Sequence, residues 1–274
     1  TSINTTGWDT SNITDISYAF YQAYDLTEIV GLSGWKGDSI TTMRAAFQDA
    51  QRLSFATHNF DSTLWGASLT NLTNLLSTFR NCSLLVGGPP MNVTGWDTSN
   101  VTTMESTFFT TVFSGSIDVS SWDFSSVTTL KGFMRSNSGT TSATFSNLSS
   151  SCTTFDTIFF GAVSVQTVIF DSSCDLSGVT TWSNGFNLAA SLTTLTLDAS
   201  ASIAGTTNMT AAFNTAPLSI TSYDNFLIRA AATNTNSVTL GANASSFTCA
   251  PSAAATAEAT LLAAGWTITD LACT

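Results

Sequence analysis

Charge is what this chain has least of. Only 9% of its 274 residues are Asp, Glu, Lys or Arg, against roughly a quarter in an average soluble domain. The seven basic residues face 18 acidic ones, for a net charge of −11. Nucleic-acid binding needs basic side chains to displace counterions, and an anionic membrane surface needs a polybasic patch, so neither class of partner is expected. Histidine occurs once, at His58 in the long insertion between Phe47 and Phe79, which leaves little from which to build a Ser-His-Asp site. The five cysteines contain no CxxC pair, which removes the usual zinc and thioredoxin readings. No apolar run reaches the ~18 residues of a membrane-spanning helix, so no membrane insertion is expected. No basic-then-apolar leader opens the chain. Glu28, Glu105 and Glu258 are scattered and form no paired-carboxylate motif. Phosphate-binding and dinucleotide fingerprints are missing too. The expectation is a protein that is not an enzyme and holds no cofactor or metal.

What fills the space is repetition. Taking Phe20, Phe47, Phe79, Phe108, Met134, Phe159, Phe186 and Phe213 as anchors, the spacings are 27, 32, 29, 26, 25, 27 and 27 residues. Six before each anchor stands a threonine: Thr14, Thr41, Thr73, Thr102, Thr128, Thr153, Thr180 and Thr207. Four before stands a large apolar residue, from Ile16 and Met43 to Trp182 and Met209, and eight before stands Asn, Ser or Gly. A period in this range marks a solenoid, in which no unit can bury its face alone and neighbours stack into one core.

Within a unit, apolar residues at seven, four and zero before the anchor (Val101, Met104, Phe108) give the i, i+3, i+7 stripe of a short helix. The Asn, Ser or Gly ahead of it suits an N-cap. After the anchor an L-x-x-L-x-L spacing, as in Leu192, Leu195 and Leu197, reads as a leucine-rich-repeat strand. Gly87, Gly88, Pro89 and Pro90 break that pattern after Phe79, and the unit after Met134 is polar and weak. The expected fold is an α/β solenoid of about eight coils over residues 1–215. It carries a parallel sheet on one face and short helices on the other. Residues 216–274 read as a C-terminal cap: a helix over 223–232, a strand over 237–240, a helix over 253–264 ended by Gly265, and a last strand over 266–271. Thr1 stands only seven residues before Trp8. The first coil is therefore expected to lack its own strand and cap, as in a fragment, a processed product or a chain whose first coil a partner covers.

Trp8, Trp35, Trp96 and Trp122 stand twelve before their anchors, three of them starting Trp-Asp pairs. Aromatic platforms for sugars are one reading. Core packing at a chain corner, with Asp9, Asp97 and Asp123 closing Asx-turns, is the favoured one. The threonine column reads as a hydrogen-bonded ladder between coils. Cys82 and Cys152 read as core residues, while Cys249 and Cys273 bracket the C-terminal segment and suit a disulfide.

The run from Trp96 to Met104, Trp-Asp-Thr-Ser-Asn-Val-Thr-Thr-Met, followed by Phe108, closely resembles the repeat of BspA-like leucine-rich-repeat surface proteins, a kind also found in mycoplasma surface lipoproteins. Residues 8–20 match nearly as well, and the resemblance extends to about residue 215. The ending Leu-Leu-Ala-Ala-Gly-Trp-Thr-Ile-Thr-Asp at 261–270 is similar to that of such proteins in bacteria and in bacteriophage structural proteins. The resemblance implies extracellular display, on a cell surface or virion, with adhesion or host attachment as the role and no catalytic residues. A cell-surface glycan or protein is the expected partner. The polar strand positions Ser116, Asp118, Gln166, Thr167, Thr193, Thr194 and Thr196 are the expected contact surface. The alternative is a structural block of a virion fibre or surface filament, joined to other copies or to a larger fibre through its first coil.

Overall fold

The computed structural model describes residues 1–53, 69–82, 93–112, 117–198 and 200–274. It is a mixed α/β structure with few helices and small parallel sheets. Strands β1 (Ser2–Asn4) and β2 (Glu28–Val30) pair in parallel. Strands β3 (Ser142–Phe145), β4 (Thr167–Phe170) and β5 (Thr194–Leu197) form a three-stranded parallel sheet in the order β3-β4-β5. The C-terminal part runs α1 (Ile220–Thr233), β6 (Thr239–Ala242), α2 (Ala253–Ala263) and β7 (Thr267–Asp270), with β6 and β7 parallel. Among the described residues no helix is long and apolar enough to cross a membrane.

The short helices expected in each repeat do not form. From the threonine column to beyond the anchor, the chain is a run of turns. Leu75, Ser77, Phe79 and Asn81 donate their N–H groups to the carbonyls of Thr103, Glu105, Thr107 and Phe109 in the next repeat, at 2.8–3.0 Å. The N–H groups between them, of Thr78, Arg80 and Cys82, donate three residues back to Leu75, Ser77 and Phe79. The N–H of Leu76 goes to the Asn74 side chain at 2.9 Å, so the whole stretch is accounted for. Every fourth residue reverses into the left-handed region, as at Ser77 (φ 56°) and Asn81 (φ 57°). A turn repeating every four residues brings anchor and anchor-minus-four to one side much as a helix does, so the apolar spacing did not separate the two. The residues just before the run decide it. They are Asp15, Thr42, Asn74, Thr103, Thr129, Thr154, Thr181 and Asn208. Each accepts a hydrogen bond on its side-chain oxygen from the N–H two residues on, which competes with helix.

Two further expectations need correcting. The N-terminal residues do form a strand, β1, in register with β2. The polar segment after Met134 also forms one, β3, because Ala143 and Phe145 turn inward and stack on Val168 and Phe170. The Gly-Pro break at 87–90 and His58 lie outside the described residues.

The core is one continuous cluster. Its axis is the anchor column, where Phe20, Phe47, Phe79 and Phe108 stack at centroid distances of 5.4–5.7 Å. Met134 interrupts that row, and Phe133 and Phe145 bridge to Phe159, Phe186 and Phe213. Outside, the threonine column is exposed and bonded. Each threonine from Thr41 to Thr207 gives both its N–H and its hydroxyl to the carbonyl of the threonine one repeat earlier.

Candidate functional site

The outer face of β3, β4 and β5 holds most of the expected contact residues. Ser142, Thr167 and Thr194 form one row across the sheet, and Thr144, Ile169 and Thr196 the next. Between them Ala143, Val168 and Leu195 point into the core, as strand alternation requires. Gln166 and Thr193 flank the first row. The Gln166 carbonyl accepts the N–H groups of both Thr193 and Thr194, at 3.1 and 3.0 Å. Gln166, Thr193 and Thr196 are exposed, and Thr167 and Thr194 are half-buried. None of these five side chains makes a hydrogen bond among the described residues, unlike the hydroxyls of the threonine column. Asp118 is not brought into this group. It lies one repeat earlier on a segment outside the sheet, and its carboxylate accepts the Ser120 N–H at 2.9 Å. Ser116 lies outside the described residues.

The tryptophans divide. Trp35, Trp96 and Trp122 are buried. The indole N–H of Trp35 donates to Thr5 Oγ1 at 3.0 Å, and that of Trp122 to the Val93 carbonyl at 2.9 Å. Trp8 is 52% exposed and stacks on Trp35 at 6.3 Å, so core packing does not describe it. Asp9, Asp97 and Asp123 each accept the N–H two residues on, closing Asx-turns. With Trp8, the exposed rings of Tyr18, Tyr21 and Tyr24 place four large aromatics in the first repeat.

The column eight before the anchor does not cap helices. Ser39, Asn100 and Ser126 donate from their side chains to the carbonyls of Ser11, Thr70 and Ser99 in the preceding repeat. The three free thiols are buried. Cys82 is fully buried, and burial pushes its thiol far up. Burial likewise pushes Cys152 up to about 12 and Cys174 up to about 11. Cys249 and Cys273 form a disulfide with a Cα–Cα distance of 4.9 Å. No group of three or more His, Cys, Asp or Glu suited to a metal ion occurs among the described residues.

Sequence reading missed two columns. One is the Asp, Thr or Asn just after the threonine ladder, visible as a second position that always carries a short side-chain oxygen. The other is the position one after the anchor, where Arg80, Phe109, Arg135 and Phe160 follow one another. A family model described as "Mycoplasma protein of unknown function, DUF285" matches residues 1–87, 70–199 and 109–226. No curated protein and no solved structure matches the chain.

Proposed function

The chain belongs to the DUF285 family, matched from residue 1 to residue 226, and from that premise we propose that it is a non-enzymatic recognition or adhesion module. It acts outside the cell, on a cell surface or a virion, and binds a glycan or a protein on another surface. The observation that carries this reading is the set of unbonded side chains of Gln166, Thr167, Thr193, Thr194 and Thr196. They are adjacent, uncharged and rich in both donors and acceptors, which is the chemistry sugar hydroxyls and peptide groups need. The presenting scaffold is a leucine-rich-repeat-like solenoid of about eight coils over residues 1–215, closed by a capping segment over 216–274. At ~4.8 Å per coil the array is about 40 Å long, a shape that suits an extended ligand. The test is adhesion of the purified protein to cells and to a glycan array, with Gln166→Arg and Thr194→Arg as variants. Adhesion that survives both substitutions sinks the reading.

A second reading is a building block of a virion fibre or surface filament. It is favoured by one feature: the first repeat exposes Tyr18, Tyr21 and Tyr24 together with Trp8. A cluster of exposed aromatics is a surface suited to association. Light scattering on the purified chain decides it, since a monomer that persists at high concentration is incompatible with assembly through the first repeat.

A further inference from the structure

Arg80, Phe109, Arg135 and Phe160 each stand one residue after an anchor in four successive repeats. Their side chains make one stack along the outside of the turn runs. The Arg80 guanidinium carbon lies 4.6 Å from the Phe109 centroid. Arg135 lies between two rings, 5.1 Å from Phe109 and 4.9 Å from Phe160. All four residues are half-buried, and Nε of both arginines is buried without a hydrogen-bond partner. Neither guanidinium makes an ion pair or hydrogen bond among the described residues. That is notable in a chain with 18 acidic residues and seven basic ones: two of the scarce cations are held by rings rather than by carboxylates.

We propose that this ladder is a binding strip for an anionic polysaccharide that carries one acid group on every second sugar. Arg135 is held between two rings and spends none of its N–H groups on an ion pair or hydrogen bond among the described residues, which leaves its planar fork for a carboxylate, the group that suits bidentate binding. The two forks are two repeats apart, on the order of 10 Å at ~4.8 Å per repeat. A pyranose advances a sugar chain by about one such step, so acid groups on alternate sugars fall in register with Arg80 and Arg135. Nucleic acid does not fit, since duplex DNA carries a charge every ~1.7 Å and the other acidic residues would repel it. A sparsely charged sugar chain meets less of that repulsion, which salt screens beyond ~8 Å at physiological ionic strength. The strip uses different columns of the repeat from the strand face and stands whether or not that face binds a ligand.

The experiment measures binding of hyaluronan oligosaccharides, with neutral dextran as control, at about 0.15 M salt. Wild-type protein is expected to bind hyaluronan and not dextran. Each of Arg80→Gln and Arg135→Gln is expected to lose roughly tenfold in affinity, the scale of a lost charge-assisted pair. Gln keeps a planar group against the rings, and thermal unfolding checks that the fold survives. Arg229→Gln, on α1, removes the same charge elsewhere and is expected to leave binding unchanged. On the wild type, side-chain N–H resonances of Arg80 and Arg135 are expected to shift on titration while the amides of 193–196 do not. The proposal is overturned by absence of hyaluronan binding to the wild type, by unchanged affinity in both Gln variants, or by shifts confined to other residues.

Discussion

Gly178 and Gly205 show how closely successive repeats approach. A Cβ at Gly178 would lie 1.8 Å from the Ser150 carbonyl oxygen, and one at Gly205 would lie 2.1 Å from that of Ser177. In earlier repeats the same column reaches back to that carbonyl with a side-chain donor, as Asn100 and Ser126 do. Contact is with backbone rather than a flexible side-chain tip, so Gly178→Ala must shift a repeat. It is expected to cost about 2 kcal/mol or more, the range of overpacking. Gly34→Ala is the control: nothing lies within 4 Å of that Cβ position. Urea midpoints measured on the pair should fall for the first and stay within error for the second; equal midpoints would refute the close-approach account. Leu188 gives the opposite case. It sits at φ 63° and is exposed, where a left-handed leucine costs about 1–2 kcal/mol. Leu188→Gly is expected to raise stability by up to ~1 kcal/mol, part of the relief being offset by the freer unfolded chain.

At the scale of elements, the threonine ladder and the two C-terminal helices hold by different means. Each ladder carbonyl from Thr14 to Thr180 accepts at least twice, from an N–H and from a hydroxyl, so removing one hydroxyl leaves no orphaned acceptor. Thr102→Val, which takes away only the bond to the Thr73 carbonyl (3.2 Å), is expected to cost about 0.5–1.5 kcal/mol. Thermal unfolding checks it, and a loss well beyond that range would mean the ladder acts as a cooperative unit. The helix α2 ends in a Schellman motif: Trp266 N–H donates to the Leu261 carbonyl and Gly265 N–H to that of Leu262, with Gly265 at φ 91°. This ending was legible in the sequence because Gly after a run of helix formers has one common meaning. So were α1, β6 and β7, each within a few residues. The strands β4 and β5 were legible too, because L-x-x-L-x-L alternation has few other solutions. The turn runs were not. Their apolar spacing is shared with a helix, and what excludes the helix is a second column of short oxygen-bearing side chains and left-handed residues such as Tyr18 and Ala45 that no propensity announces. Of the residues expected to form the contact surface, Gln166, Thr167, Thr193, Thr194 and Thr196 lie together on or beside one face of the sheet. The sequence pattern misplaced Asp118, whose carboxylate closes a local turn, and it passed over the arginine–phenylalanine stack, which exists only once the repeats are superposed.

For the whole molecule the acidic residues set opposing pH dependences. Hydrogen bonds from the Ser11 and Ser17 hydroxyls and N–H groups hold Asp9 and Asp15 below the usual carboxylate range. Asp171 is also lowered: burial pushes it up, but bonds from Ser173 and Ser146 outweigh that. A depressed carboxylate stabilises the fold above its unfolded value of 3.8, and that contribution is lost as pH falls through the folded value. At the C-terminal end the sign reverses. Burial raises Asp270, against the 2.7 Å hydrogen bond it accepts from the Tyr223 hydroxyl. Burial, with Asp270 nearby, raises Glu258. A raised carboxylate favours the folded state while protonated, and that advantage is lost as pH rises from 3.8 through the folded value. Stability is therefore expected to peak on the acid side of neutrality, falling below it as Asp9, Asp15 and Asp171 protonate and above it as Asp270 ionises. Asp270→Asn keeps an acceptor for Tyr223 and removes the charge. It is expected to raise stability at pH 7 and flatten the descent on the alkaline side while leaving the acid limb in place. Denaturant titrations at a series of pH values from 3 to 8 separate the two limbs. A variant whose profile parallels the wild type throughout would show that Asp270 is not the group that titrates against the fold.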